Sequence, residues 1–208
     1  MVGVHIVDHP LIKYKITMLR DVETGAKEFR ELVSEITLLL LYEATRGLPL
    51  KETEVETPIA TAKGYLIDGD ILFVPVLRAG LAMVEGALKL IPNAKVAHFG
   101  VYRDHASLRP VQYFAKFPSN IGDMNIFVMD PMLATGGSLD YVVDYLKDIG
   151  GKNIKVLAII SAPEGASRLE KSHPDIDVYV AAMDQYLNDQ GYIVPGLGDA
   201  GDRLYGTK

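Results

Sequence analysis

Nine residues in the middle of the chain, Asp130 to Ser138, read DPMLATGGS. They follow an apolar run, NIFVM at 125–129, and precede a stretch with Leu139, Val142, Val143 and Leu146 at helical spacing. A strand, a glycine-bearing loop and a helix in that order suit an anion. Gly136 and Gly137 let the backbone approach a ligand closely. Thr135 and Ser138 add hydroxyls. The unpaired N–H groups of the first helical turn can hold phosphate oxygens, aided by the helix dipole. Residues 134–138, beginning at Ala134, best suit the phosphate. Pro131 stiffens the exit from the strand, and Met132 and Leu133 shape the cavity. Asp130, a carboxylate at a strand end beside this loop, suits a sugar diol or a cation. A serine-capped helix after a tight turn is the plainer alternative. The loop has no P-loop lysine, and no GxGxxG opens a first strand–helix unit.

Other candidates flank this loop in sequence. Arg78 follows the apolar run ILFVPV at 71–76, where a guanidinium forks onto phosphate oxygens. A surface ion pair is its alternative. Arg103 stands at a second strand exit. Near the carboxyl end, GYIVPGLGDAGDR at 191–203 holds four glycines and one proline, with no histidine, cysteine or serine. The five histidines form no metal set. His5 and His9 are four apart, but Pro10 adjoins them. His98 reads as an internal strand residue, His105 as part of a polar loop, and His173, before Pro174, as surface. With no cysteine, thiol nucleophiles, disulfides and thiolate metal sites are excluded. No GxSxG appears.

The elements that must position these residues are legible from residue 24 onward. A helix is expected from Thr24 to about Thr45, and an antiparallel hairpin or arm over 50–67. Strands are expected at 71–76, 95–102, 125–130, 154–161 and 177–182. Helices are expected at 80–90, 138–149 and 165–171. Residues 103–121 read as a flexible flap with a hairpin at VQYFA. The first 25 residues read as a wrap around the body. Strands alternating with single helices imply an α/β fold with an open, mainly parallel sheet flanked by helices. Ligands of such sheets bind beyond the carboxyl ends of the strands.

Bulk composition narrows the classes. The chain has 208 residues, 49% hydrophobic and 23% charged, with a net charge of −6. That suits one domain, 1–208. It is unlike a general nucleic-acid binder, which would more often show a basic face. No apolar run is long enough to span a membrane, and the opening MVGVHIVDHP is unlike a secretory signal. A cytoplasmic location, with neither nucleic acid nor membrane as partner, is the expectation.

Three segments carry a family resemblance. DPMLATGGS resembles the phosphoribosyl-diphosphate (PRPP) motif of phosphoribosyltransferases, in the form found in the uracil phosphoribosyltransferases. VPVLRAG at 74–80 resembles their earlier diphosphate-binding segment, and YIVPGLGDAGDR at 192–203 their uracil-recognition segment. APEG at 162–165 and DHPLI at 8–12 fit as well, and the likeness runs nearly end to end. The resemblance implies a type I phosphoribosyltransferase-like fold. It also implies the reaction of uracil with PRPP to give UMP and diphosphate. It places Arg78, Arg103, Asp130 and Asp199 in the catalytic centre. PRPP then lies on Arg78, Arg103, Asp199 and the loop from Asp130 to Ser138. Uracil lies on Tyr192, Ile193, Gly198, Asp199 and Ala200. Magnesium dependence, a homodimer or homotetramer and, in some members, activation by GTP follow from it too. Where many phosphoribosyltransferases carry a second acid, this chain has Pro131, so no protein ligand for the magnesium is assigned. The alternatives are a transferase for another base (hypoxanthine, guanine, orotate or adenine) and a PRPP- or nucleotide-sensing regulator that binds RNA.

Overall fold

The structure is a computed structural model that describes residues 3–103 and 110–207. It opens on β1 (Val4–Ile6) and α1 (Pro10–Arg20), followed by α2 (Ala26–Ala44). A hairpin of β2 (Leu50–Glu56) and β3 (Thr61–Ile67) stands apart as its own two-stranded sheet. Then come β4 (Ile71–Leu77), α3 (Leu81–Leu90), β5 (Lys95–Val96), β6 (Phe99–Arg103) and β7 (Pro110–Ala115). The second half holds β8 (Asn125–Met129), β9 (Met132–Leu133), α4 (Gly137–Asp148), β10 (Asn153–Ser161), α5 (Pro163–Ser172) and β11 (Asp177–Met183). A small hairpin, β12 (Tyr186–Leu187) with β13 (Ile193–Val194), leads into α6 (Ala200–Tyr205).

The central sheet runs β1-β11-β10-β8-β4-β6-β7, with β5 on β4 and β9 on β10. Its pairs are parallel except β6 with β7, which is antiparallel. Both faces are covered, so the strands read as continuous apolar runs with a period of two hidden inside them. In β4, Ile71 and Phe73 join the core under α1, α2 and α3, while Leu72, Val74 and Val76 join the core under α4. Of the α2 stripe expected from its spacing, Phe29, Leu32, Val33, Ile36 and Leu40 are buried and Leu39 is half-buried.

Three expectations need correction. The first 25 residues form an edge strand and a helix rather than a wrap. Pro10 starts α1, where its missing N–H is harmless, and Ile12, Ile16 and Leu19 bury one stripe. The run at 95–102 is two strands, broken at Ala97 and His98, and His98 is only half-buried. His173 is inside: it is 2% exposed. The hairpin expected at VQYFA is β7 folded back on β6. Of the flap expected over 103–121, residues 104–109, His105 among them, lie outside the described residues, while β7 occupies 110–115.

Candidate functional site

The carboxyl ends of β4, β8, β10 and β11 lie side by side in the sheet order, and each delivers a candidate loop. The one after β8 is the nine-residue loop. Its backbone is tied to the end of β10 rather than hanging free. The Pro131 carbonyl accepts from the N–H groups of Ile159 and Ile160, both at 3.1 Å, and the Leu133 carbonyl accepts from Ala162 at 2.9 Å. The Ser161 hydroxyl, buried, also donates to the Leu133 carbonyl at 3.3 Å.

The loop then turns at Gly136, whose φ of +77° is the left-handed region that glycine tolerates best. Gly136, not Ser138, occupies the cap position of α4, and it makes no side-chain cap. The plainer reading, a serine-capped helix, is therefore overturned. The first N–H groups of α4 are left for another acceptor. Asp130, Thr135, Gly136, Gly137 and Ser138 line a cleft of about 100 Å³ there. Roomier clefts exist, such as one of about 310 Å³ at the amino-terminal edge of β8 and β10. That one lies at the wrong end of the strands for a ligand of this fold.

Asp130 is half-buried at the tip of β8. Its Oδ1 accepts a 3.2 Å bond from the Met132 N–H. Dehydration by the surrounding protein outweighs that bond and pushes its carboxyl up to about 7.

Arg78 follows β4, across a cis Leu77–Arg78 peptide. Its carbonyl accepts from the Tyr205 hydroxyl at 3.0 Å. Its Nη2 lies 3.8 Å, and Asp199 Oδ1 3.2 Å, from where a Cβ on Gly201 would sit. Arg78 and the carboxyl-terminal segment thus meet, 127 positions apart in sequence at the Tyr205 bond. Asp199 caps α6, accepting from the Asp202 N–H at 2.9 Å. Ile193 and Ala200 are buried, Tyr192 is exposed, and Gly198 has φ +82°. Arg103 ends β6, three residues past the last register pair with β4, and its backbone pairs with Pro110. Nothing beyond its backbone is described.

Sequence reasoning missed the residues that stand behind these loops. Arg168 Nε and Nη2 donate to Asp140 Oδ2 at 2.9 and 2.8 Å, and its Cδ lies 3.3 Å from where a Cβ on Gly136 would be. His173 Nε2 faces Asp140 Oδ1 at 3.1 Å, while Lys147 Nζ donates to His173 Nδ1 at 3.2 Å. An ammonium only donates, so Nδ1 accepts and the ring proton sits on Nε2, toward Asp140. Asp140, Asp144 and His173 form the one group of three metal-ligand side chains among the described residues, with ligand atoms within 4.8 Å of one another. Lys147 and Arg168 already occupy two of their faces. One imidazole among the donors suits magnesium poorly, since that ion prefers oxygen throughout. At the nine-residue loop, Asp130 is the one carboxylate among the cleft-lining residues. That fits a magnesium ion held mainly by substrate oxygens.

Comparison with known proteins agrees with this arrangement. The family model for uracil phosphoribosyltransferase matches residues 6–207. The uracil phosphoribosyltransferase of Dictyoglomus turgidum is 59% identical over 204 residues, covering 98% of this chain and 99% of its own. That of Bacillus pumilus is 56% identical over 209 residues, covering 100% of both. A solved structure of a protein from Aquifex aeolicus superposes with a TM-score of 0.93 at 39% identity, covering 99% of each chain. A hypoxanthine-guanine phosphoribosyltransferase from Bacillus anthracis, at 14% identity and a TM-score of 0.51, shares the fold alone. No described helix is long and apolar enough to cross a membrane. The chain belongs to the uracil phosphoribosyltransferase family.

Proposed function

We propose that this chain transfers the phosphoribosyl group of PRPP to N1 of uracil, giving UMP and diphosphate, a pentosyl transfer that salvages a pyrimidine. The observation that supports it is a pair of backbone-rich loops, one directly after β8 and one after β11 by way of the β12–β13 hairpin, following strands whose carboxyl ends lie on the same side of the sheet. An uncapped helix start offers N–H groups to a phosphate. A turn rich in glycine offers peptide groups to a small flat base. Uracil presents an acceptor, a donor and an acceptor at O4, N3 and O2, which main-chain N–H and C=O groups can match.

In this reaction the bond from C1′ to the diphosphate oxygen breaks, and N1 of uracil bonds to C1′ as its proton leaves for diphosphate or solvent. The transition state is oxocarbenium-like. Orientation and charge stabilisation carry it, and no covalent nucleophile is needed. Residues 134–138 hold the 5′-phosphate. Asp130 accepts hydrogen bonds from the ribose hydroxyls. Arg78 and Arg103 spread the charge of the departing diphosphate. Ile193, Gly198, Asp199 and Ala200 read the base, with Tyr192 framing it. Substrate oxygens beside Asp130 would hold a magnesium ion, which would supply neutralisation of the diphosphate charge.

The net charge of −6 weighs against an RNA-binding regulator. Purified protein with PRPP and magnesium, offered uracil, cytosine, orotate, hypoxanthine and adenine in turn, should yield UMP from uracil. Nucleotide from a purine alone would sink the reading. A GTP series in the same assay at subsaturating PRPP tests activation, which rests on family membership; a flat initial rate removes it. The β2–β3 hairpin leaves Val55, Ile59, Tyr65 and Leu66 exposed, Ile59 by 96%. It supports a homodimer or homotetramer in which a partner subunit covers that arm. A monomer mass by light scattering would overturn this.

The loop's shape is also testable from behind. A Cβ on Gly165 would come 2.3 Å from the Ala134 carbonyl oxygen and 2.9 Å from that of Leu133. Gly165→Ala should therefore push the loop outward, although alanine suits a helix better by roughly 0.5–1 kcal/mol. The expected result is a rise of about tenfold or more in the KM for PRPP, the scale of a misplaced positioning group. The KM for uracil should change less. Equal shifts in both would place the damage elsewhere.

A further inference from the structure

We propose that Arg20 and Asp184 form a positioning clamp that holds the base-reading turn in shape; its functional part rests on the reaction proposed above. Arg20 is the last residue of α1, and Asp184 directly follows β11. Their side chains are 23% and 4% exposed. The guanidinium and the carboxylate meet as a fork, with Nη2 on Oδ1 and Nη1 on Oδ2, the latter at 2.8 Å. What distinguishes this pair from a stabilising ion pair is its third partner. Arg20 Nη1 donates to the Gly196 carbonyl at 2.7 Å, and the Gly196 N–H donates to Asp184 Oδ2 at 2.9 Å.

Both backbone polar groups of Gly196 are thus held by the pair. Gly196 sits at φ +66°, where a Cβ would come 2.1 Å from the Ile193 carbonyl oxygen. On one side the Gln185 N–H donates to the Val194 carbonyl at 2.9 Å. On the other, Arg203 Nη1 donates to the carbonyls of Leu197 at 3.1 Å and Leu19 at 2.7 Å. The turn between Ile193 and Ala200 is anchored at Val194, Gly196 and Leu197 by groups from α1, from the two residues that follow β11, and from α6. None of these bonds involves the peptide groups of Gly198 or the Ala200 N–H, which stands in the first turn of α6, where N–H groups have no intrahelical acceptor.

Buried ion pairs are poor sources of net stability compared with apolar side chains of similar size, while their directional bonds specify geometry. That contrast separates a positioning role from a merely structural one. The Arg20→Met/Asp184→Leu double variant removes the charges and keeps the bulk. It should still unfold cooperatively, at a melting temperature lowered by the loss of the two Gly196 bonds. Its KM for uracil should rise about tenfold or more, and its KM for PRPP should stay within twofold. Arg20→Lys, which keeps the charge but loses the fork, should shift the same way by a smaller factor. So should Asp184→Asn, which keeps an acceptor for Gly196.

Hydrogen exchange without substrates provides a second readout. Peptides spanning 193–200 should exchange faster in each variant, while those spanning 130–138 should not change. The clamp is overturned if a folded variant keeps its uracil KM, if both KM values rise together, or if exchange in 193–200 is unaltered. Absence of UMP from the parent protein would instead refute the proposed reaction. The exchange result would still decide whether the pair holds the turn.

Discussion

Asp130→Asn should stabilise the ligand-free protein at pH 8 and at the same time cripple turnover. Dehydration raises the Asp130 carboxyl from an ordinary 3.8 to about 7. The folded protein therefore favours the neutral acid. Between those two values the folded state holds a proton that the unfolded state has lost, so stability falls as pH rises. The contribution is complete below pH 4 and gone once pH passes 7. A gap of about three pKa units corresponds to roughly 4 kcal/mol between those limits. Asparagine does not ionise. The variant should match the parent near pH 4 and exceed it by up to about that amount at pH 8. Urea denaturation at the two pH values measures the difference. An equal difference at both would show that Asp130 is not the strained group.

The same residue should lose function when neutralised. In the proposed reaction an ionised Asp130 accepts from ribose hydroxyls, and a hydrogen bond to a charged group contributes about 1.5–3 kcal/mol. Asparagine offers one acceptor and presents its amide donor to the second hydroxyl. A loss of about 100-fold in kcat/KM for PRPP follows, equivalent to about 3 kcal/mol. In the parent, PRPP binding should weaken as pH falls below 7, because the carboxyl must give up its proton first. Asp130→Asn should flatten that limb of the profile. Strain at a functional group, relieved by its substrate, accounts for both halves of this prediction.

Arg78→Ala should be the most damaging change at the diphosphate end. The Arg78 main chain is fixed by the Tyr205 hydroxyl, and its side chain reaches the Gly201 region. The guanidinium therefore stands between the end of β4 and the start of α6. A preorganised charged donor aimed at a leaving group contributes about 10²–10³ in rate. The expected result is a drop of that size in kcat/KM for PRPP, with the circular dichroism spectrum and melting temperature close to the parent. Arg78→Lys should recover part of it, since an ammonium keeps the charge but not the two-pronged geometry. Tyr205→Phe, which frees the Arg78 carbonyl, should cost a few-fold, the size of one hydrogen bond of about 1 kcal/mol. A PRPP dependence unchanged by Arg78→Ala would remove this arginine from the reaction.

Much of this was legible in the linear chain because the signals are local. The strands announce themselves as short apolar runs, and α2 and α4 as amphipathic spacing. The nine-residue loop carries its glycines, hydroxyls and acid within a single stretch. The α1 stripe of Ile12, Ile16 and Leu19 was equally local, with Pro10 at its start. Charged and polar residues break up so short a segment and hide its helical period. The break at Ala97 and His98 was hidden for the opposite reason, since the apolar pattern continues across it.

His173 shows where local reading fails. A histidine before a proline in a polar stretch reads as surface, yet it lies beneath α4 with Asp140 and Lys147 around it. The serine cap fails similarly. Ser138 has the right chemistry for a cap, but the turn at Gly136 starts the helix one residue before it.

The sequence by itself determined the alternating α/β order, the phosphate-type loop and the family likeness, since each is encoded in neighbouring residues or in ordered segments. Only the tertiary structure decided which charges meet. Arg20 joins Asp184 across 164 positions, and Asp130 is pushed up by the dehydration imposed by all that packs around it. Pairing and desolvation are set by distance in space. A residue's neighbours along the chain do not specify that distance until the sheet has brought its strand ends together.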